Sequence, residues 1–196
     1  MHEYIVSAIV LAVKPHRGND RIAELYTKEL GRVEARLVGG RKTLSKFAQH
    51  LNPWDAVTVR LVKKQAFTVT DALSEAWCAP GNGTKQGGKR NGSIRKNGKH
   101  FFANLEVLFA VRTLTPLLES DPQLWHLLRR MRDGEMPSRK GNGCAAVLKI
   151  LGYDPMCAEC ARCSKKPVGA FAFVDQEFVC VPCATKYGRN ELLSIA

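Results

Sequence analysis

The sequence predicts a multidomain α+β protein, with an N-terminal β-barrel followed by a C-terminal α-helical domain that carries a four-cysteine module. Three observations support this. Short apolar or alternating segments fill the start of the chain, amphipathic segments follow a glycine-rich basic stretch, and two Cys-x2-Cys pairs lie near the C-terminus. We therefore expect domains at 1–78 and 101–196, a linker or loop at 79–100, and a cysteine module at about 157–183.

Five short strands are expected in the first domain. Four of them show either an apolar, β-branched-rich composition or an alternation of apolar and charged residues, whereas the second is extended or weakly helical in pattern. The strand candidates are Tyr4–Val13, Arg21–Thr27, Val33–Leu37, Val57–Leu61 and Phe67–Thr70. A short helix at Thr43–Leu51, with Ser45 as a cap, would separate the third and fourth strands. That helix favours an OB-fold over an SH3-like barrel.

Three helices are expected after the basic stretch. Asn104–Leu118 is the first, and one face should carry Leu105, Leu108, Phe109 and Leu117. The second should begin at Asp121-Pro122, with the aspartate as cap, and end at Asp133-Gly134. The third should cover about Cys144 to Leu151.

The net charge of +12 indicates a polyanionic partner. Half of this excess lies in residues 79–100, which contain six basic side chains, six glycines and no acidic residue. Two interpretations remain open: a mobile arm that follows phosphates, and a solubilising linker. The basic residues of this stretch are Lys85, Lys89, Arg90, Arg95, Lys96 and Lys99.

Two cysteine pairs, Cys160-x2-Cys163 and Cys180-x2-Cys183, have the spacing of a structural zinc site. Cys157 lies three residues before Cys160, so Cys157 with Cys160 is an alternative first pair. Four thiolate ligands leave no open position for water or substrate. The sequence therefore predicts a zinc finger with one structural Zn²⁺ ion.

No enzyme is expected from this sequence. A nuclease would need clustered carboxylates to hold magnesium, and the nearest pairs, Asp20/Glu24 and Asp133/Glu135, are interpreted as solvated surface groups. No apolar run is long enough to span a bilayer, and the first residues lack the layout of a signal peptide. A cytoplasmic protein without a membrane contact is therefore expected.

Several stretches of the chain carry a resemblance to a known bacterial family. The last of them leads into the cysteine module, and the others lie in the predicted barrel. They are Tyr4–Val13, Asp20–Ile22, Tyr26–Val33, Gly40–Lys42 with Ser45-Lys46, Leu51–Trp54 and Leu148–Pro155. In these stretches the chain resembles the RecO family.

The resemblance implies a DNA repair protein of the bacterial cytoplasm and nucleoid. Such a protein binds single- and double-stranded DNA, anneals complementary strands and, with RecR, helps RecA displace single-strand-binding protein. The resemblance also implies that Cys157 packs as a small apolar residue. The zinc ligands would then be Cys160, Cys163, Cys180 and Cys183.

Annealing requires basic side chains that cancel phosphate repulsion, and no catalytic group. Tyr26 and Trp54 could stack on bases or belong to the core. The barrel residues expected to contact DNA are Arg17, Arg21, Arg32, Arg36, Arg41, Lys42 and Lys46.

Two features depart from the RecO pattern. The family continues with further helices after its zinc module, and the basic stretch at 79–100 is unusual in it. Because of these two departures, the sequence does not decide whether the chain contacts the C-terminal tail of single-strand-binding protein. The alternative function is that of an OB-fold and zinc-ribbon protein that binds RNA in translation or transcription.

Overall fold

The computed structural model of the chain describes residues 1–41, 48–75, 98–134, 143–188 and 191–195. The strands are β1 (His2–Pro15), β2 (Arg21–Thr27), β3 (Gly31–Leu37), β4 (Ala56–Lys63), β5 (Phe67–Ser74), β6 (Ala170–Ala172), β7 (Glu177–Val179) and β8 (Leu192–Ser194). The α-helices are α1 (Gly98–Leu114), α2 (Pro122–Arg132), α3 (Gly143–Ile150) and α4 (Val181–Ala184), and a short 3-10 helix covers Ala48–His50.

The first five strands form a closed barrel in the order β1-β2-β3-β5-β4, and β4 pairs back onto β1. Neighbouring strands are antiparallel except β3 and β5, which are parallel. The short 3-10 helix lies between the third and fourth strands. The predicted OB-like barrel is therefore confirmed.

Strand β1 has 14 residues, twice as many as β2, and it uses different parts of its length for its two neighbours. Its first part, His2–Ile9, pairs with β4, and its second part, Ala8–Pro15, pairs with β2. The register shifts between Val10 and Ala12, which is a bulge or irregularity of the kind that bends a strand. One bent strand thus closes the barrel.

Both faces of β1 are buried from Ala8 to Leu11, and this explains the uninterrupted apolar sequence there. Ala8 and Val10 belong to the core inside the barrel. Ile9 and Leu11 belong to a second core outside the barrel, together with Tyr26 of β2. Successive residues of a strand point to opposite faces, so β1 serves two cores at once.

The second core joins the barrel to the helices and to the cysteine module. Helices α1, α2 and α3 pack over the outer face of β1 and β2, and the small sheet β7-β6-β8 completes the cluster. Its largest members outside the barrel are Leu108, Leu124, Trp125, Leu128, Leu148, Phe171, Phe173 and Leu193.

The chain after α1 crosses the β2–β3 turn at Gly31. The backbone amide of Leu118 donates to the carbonyl of Arg32 (2.9 Å). A Cβ atom at Gly31 would lie 1.8 Å from the carbonyl oxygen of Glu119, and Gly31 has a φ of +67°. Only glycine fits this position, because both the close approach and the backbone angle exclude a side chain.

The predictions for α2 and α3 are correct in position, whereas α1 covers Gly98–Leu114 instead of Asn104–Leu118 and buries a different face. The Asp121 side chain accepts from the amides of Gln123 and Leu124 and caps α2, as predicted. On α1, however, Leu105 and Phe109 are 39% and 40% exposed. The buried residues of α1 are Val107, Leu108, Ala110 and Val111.

Glu24 forms a buried ionic link between the barrel and α1. Its carboxylate accepts from Arg112 (2.6 and 3.2 Å) and from Lys14 (2.5 Å), and its side chain is only 4% exposed. Burial raises the pKa of this carboxyl, but the hydrogen bonds from Arg112 and Lys14 outweigh that effect and lower the pKa overall. The ion pair therefore contributes stability at neutral pH that is lost as pH falls through the lowered pKa.

We expect Arg112→Met to reduce the free energy of unfolding by about 2–3 kcal/mol, because it leaves a buried carboxylate undercompensated. The matched control is Lys14→Met, which removes the same charge from a side chain that is 55% exposed, and it should cost below about 1 kcal/mol. Urea unfolding of the three proteins measures both values. Equal losses for the two variants would contradict the proposed link.

Candidate metal centre and nucleic-acid interface

The four predicted ligand cysteines lie together beside the small sheet. Cys160 and Cys163 belong to a tight turn, Cys180 directly follows β7, and Cys183 lies in α4. Their sulfur atoms all lie within 4.8 Å of one another. In the described part of the chain, this is the one group of three or more His, Cys, Asp or Glu residues that could hold a metal ion.

Local hydrogen bonds set the spacing of each pair. The amides of Cys163 and Ser164 donate to the carbonyl of Cys160 (3.3 and 2.7 Å), which curls the first turn. The amide of Ala161 donates to Phe178 (2.9 Å) and attaches that turn to β7. Both sulfurs of a Cys-x2-Cys pair can then point to one side.

The sulfur separations fit a tetrahedral thiolate site. Cys163 Sγ lies 3.6 Å from Cys180 Sγ and 3.7 Å from Cys183 Sγ. Zinc–sulfur bonds of about 2.3 Å in a tetrahedron place the sulfurs about 3.8 Å apart. This donor set suits a thiophilic metal in a closed structural site.

The pKa values of the clustered thiols differ. A backbone hydrogen bond from Cys180 is the largest of the influences that lower the pKa of Cys160 to about 6. Interactions with the sulfurs of Cys180 and Cys163 raise the pKa of Cys183 to about 12. Because four thiolates this close repel one another, a bound cation favours their joint deprotonation.

Cys157 is exposed and lies outside this group of sulfurs. It follows a short turn in which the Asp154 side chain accepts from the amide of Met156 (3.0 Å). Cys157 is therefore not buried as the small packing residue that the sequence predicted, and that expectation is wrong.

Four of the predicted DNA-contacting arginines lie at one end of the barrel. Arg17 is in the β1–β2 loop and Arg21 begins β2, whereas Arg36 nearly ends β3 and Arg41 follows it. The ladder between β2 and β3 brings these positions together, because Arg21 pairs with Leu37. We call this surface the basic loop end, defined by Arg17, Arg21, Arg36 and Arg41.

Two hydrogen bonds hold Arg41 against the β1–β2 loop. Its amide donates to the carbonyl of Asn19 (2.8 Å), and its guanidinium donates to the carbonyl of Gly18 (3.3 Å). Among the described residues, no carboxylate pairs with Arg17, Arg21 or Arg41. Within the described part of the chain, these three charges are therefore not neutralised by an ion pair.

Asp20 lies beneath the basic loop end, although the sequence predicted only a solvated surface carboxylate at this position. Its Oδ1 accepts from the amide of Gly39 (2.7 Å), and its Oδ2 accepts from Arg36 Nε and Nη2 (2.7 and 2.5 Å). The Gly39 amide and then Arg36 are the main causes of its lowered pKa. Asp20 is 8% exposed and Glu24 is 3% exposed, so the expectation that these carboxylates are solvated is wrong.

Arg32 lies away from the basic loop end. It pairs with Tyr26, five residues from Arg21, which places it roughly 17 Å farther along the ladder. Its Nε is buried without a hydrogen-bond partner in the described part of the chain. The structure therefore does not bring Arg32 together with the other four arginines.

The two aromatic candidates both contact the second core. Tyr26 is 1% exposed, and its hydroxyl accepts from the amide of Asp121 (3.0 Å), so it cannot stack on a base. Trp54 is half-buried against the second core and has a φ of +75°. Tyr26 is therefore a core residue, whereas the Trp54 ring is only partly covered.

The remaining predicted contacts lie outside the described residues. They are Lys42, Lys46, Lys85, Lys89, Arg90, Arg95 and Lys96. Lys99 belongs to α1, but its side chain is likewise outside the described part. Most of the predicted Thr43–Leu51 helix is also outside it, and its last part is the 3-10 helix Ala48–His50.

The barrel matches a known family. The family model for the N-terminal domain of recombination protein O matches residues 1–73. Three curated DNA repair proteins named RecO are similar over most of this chain. The RecO of Geobacter metallireducens is 27% identical over 195 residues, that of Geobacter sulfurreducens 27% over 168, and that of Pelobacter propionicus 28% over 200.

The chain is thus similar to the RecO family through the barrel model and to these three relatives over most of its length. The alignments cover 93%, 83% and 97% of this chain, in the same order. They cover 73%, 64% and 75% of the three RecO relatives. Within the described residues, no helix is both long and apolar enough to cross a membrane.

We expect Cys160→Ser to lose bound metal, because its sulfur lies within the four-thiol group. The matched control is Cys157→Ser, which removes an exposed thiol from the same module and should keep the metal. Metal content per chain, measured by mass spectrometry after purification without chelators, tests both. Metal loss in Cys157→Ser with retention in Cys160→Ser would reverse the assignment.

Proposed function

We propose that this RecO-like chain binds single- and double-stranded DNA through the basic loop end and anneals complementary strands. The single observation that carries the proposal is the convergence of Arg17, Arg21 and Arg41 at one end of an OB-like barrel, where no carboxylate of the described residues pairs with them. Guanidinium groups that neutralise phosphates release counterions and remove the repulsion between two strands. Annealing then needs no covalent chemistry.

We further propose that Cys160, Cys163, Cys180 and Cys183 hold one structural Zn²⁺ ion. The close sulfur group and its tetrahedral separations support this assignment. The ion would fix the two cysteine turns and thereby the small sheet attached to them. With four thiolates around it, it would have no position left for a substrate.

The wider role follows from the family and remains part of the proposal. The chain would act in the bacterial cytoplasm, associated with the nucleoid, where it cooperates with RecR to load RecA. The basic residues of 79–100 would add salt-dependent contacts to the DNA backbone. The C-terminal tail of single-strand-binding protein is a further partner to be tested.

A strand-annealing assay tests the proposed activity. The protein should accelerate pairing of complementary oligonucleotides, and it should still do so when they are coated with single-strand-binding protein. Adding RecR and RecA should then promote RecA assembly on the coated strand. Tight RNA binding without annealing would instead support the RNA-binding alternative, and magnesium-dependent shortening of the oligonucleotides would indicate a nuclease.

A triple variant tests the location of the DNA contacts. Replacing Arg17, Arg21 and Arg41 by alanine should weaken DNA binding and reduce the salt slope by up to about three units, because each phosphate contact contributes about one. The matched control replaces three exposed lysines outside the basic loop end, namely Lys28, Lys149 and Lys186. Fluorescence polarisation across a salt series measures both slopes. If the two triple variants lose the same DNA affinity and the same salt slope, the binding surface is elsewhere.

A further inference from the structure

We propose that Asp20 is a positioning residue that joins the β1–β2 and β3–β4 loops and so holds Arg17, Arg21 and Arg41 as one phosphate-binding surface. This inference rests on the proposed DNA binding. The Asp20 carboxylate lies in the middle of a basic surface, although electrostatic attraction of a polyanion alone would disfavour a negative charge there. The geometry of its contacts explains its presence.

The Asp20 side chain contacts the second loop from beneath. Oδ1 accepts from the amide of Gly39, and Oδ2 accepts from the Arg36 guanidinium through two nitrogens. Gly39 has a φ of +65°, which turns the backbone after β3 and directs its amide to the carboxylate. These charge-assisted hydrogen bonds are stronger than neutral ones.

The Asp20 backbone orders the first loop. Its carbonyl accepts from the amide of His16 (2.9 Å), and its amide donates to the carbonyl of Arg17 (3.2 Å). The same residue therefore closes the β1–β2 turn through its backbone and contacts the β3–β4 loop through its side chain. Arg41 lies two residues after Gly39 and bonds to Asn19 and Gly18 of the first loop.

Asp20 also changes which arginines remain available. Arg36 is 53% exposed, but its Nε and Nη2 are directed to the carboxylate. Arg36 therefore compensates the negative charge of Asp20, and the basic loop end retains the charges of the other three arginines. The cost of one neutralised arginine is offset by the fixed arrangement of the rest, because a preorganised surface loses less entropy on binding.

Asp20→Asn distinguishes a positioning role from a simple charge effect, because the two would change the DNA affinity in opposite directions. The substitution raises the net charge by one, so electrostatics alone would tighten DNA binding. We expect instead an affinity about five- to tenfold lower and a salt slope about one unit smaller, since loosened loops lose phosphate contacts. Fluorescence polarisation with a labelled single strand across a salt series provides both readouts.

The matched control is Glu34→Gln. Glu34 is exposed on β3, and its side chain has no hydrogen-bond or ion-pair partner among the described residues. Glu34→Gln removes the same single negative charge. It should bind DNA at least as tightly as the unmodified protein. If Asp20→Asn matches Glu34→Gln, Asp20 has no positioning role and the inference fails. If the unmodified protein binds no DNA, the proposed function itself fails.

A second variant covers the case in which Asp20→Asn does not fold. Arg36→Lys keeps the charge but replaces the planar two-nitrogen contact with a single ammonium. It should lower the affinity about twofold or more, with a thermal unfolding midpoint close to that of the unmodified protein. Unchanged affinity and salt slope in a folded Arg36→Lys protein would overturn the inference.

Discussion

The packing of the helices on the outer face of β1 and β2 determines which parts of the barrel remain accessible. Ile9, Leu11 and Tyr26 are buried in the second core, and Glu24 is tied to Arg112 beneath α1. A nucleic acid cannot reach these side chains without separating the helices from the barrel. Contacts with a polyanion are therefore directed to surfaces that the helices do not cover, and the basic loop end is one of them.

Local periodicity predicted the barrel well, because the apolar positions within each strand's own sequence correspond to the side chains that the strand buries. The same reasoning was wrong for the buried face of α1. From Leu105 to Val111 that helix is apolar at six of its seven positions, so the spacing of apolar residues cannot select one face. Contacts with the barrel and α3 selected Val107, Leu108 and Val111 and left Phe109 at the surface.

The carboxylates show a second limit of prediction from the sequence. Asp20 pairs with a residue 16 positions away, and Glu24 with one 88 positions away. Any of the 30 basic side chains could have been the partner of either carboxylate. Cysteines differ because two thiol pairs with x2 spacing are typical of a zinc site, so a four-cysteine site could be predicted over the 24 residues from Cys160 to Cys183. The spacing left Cys157 as an alternative ligand, and the RecO resemblance implied its exclusion.

Aromatic contacts connect the cysteine module with α1. Phe171 of β6 contacts Phe178 of β7 (5.1 Å between ring centroids) and Tyr153 after α3 (4.9 Å). Phe173 contacts Phe109 of α1 (4.9 Å). The first cysteine turn bonds to the backbone of Phe178, so a metal that fixes this turn also steadies the aromatic group. Because Arg112 of the same α1 binds Glu24 of the barrel, the module can support the barrel through packing, without a nucleic-acid contact of its own.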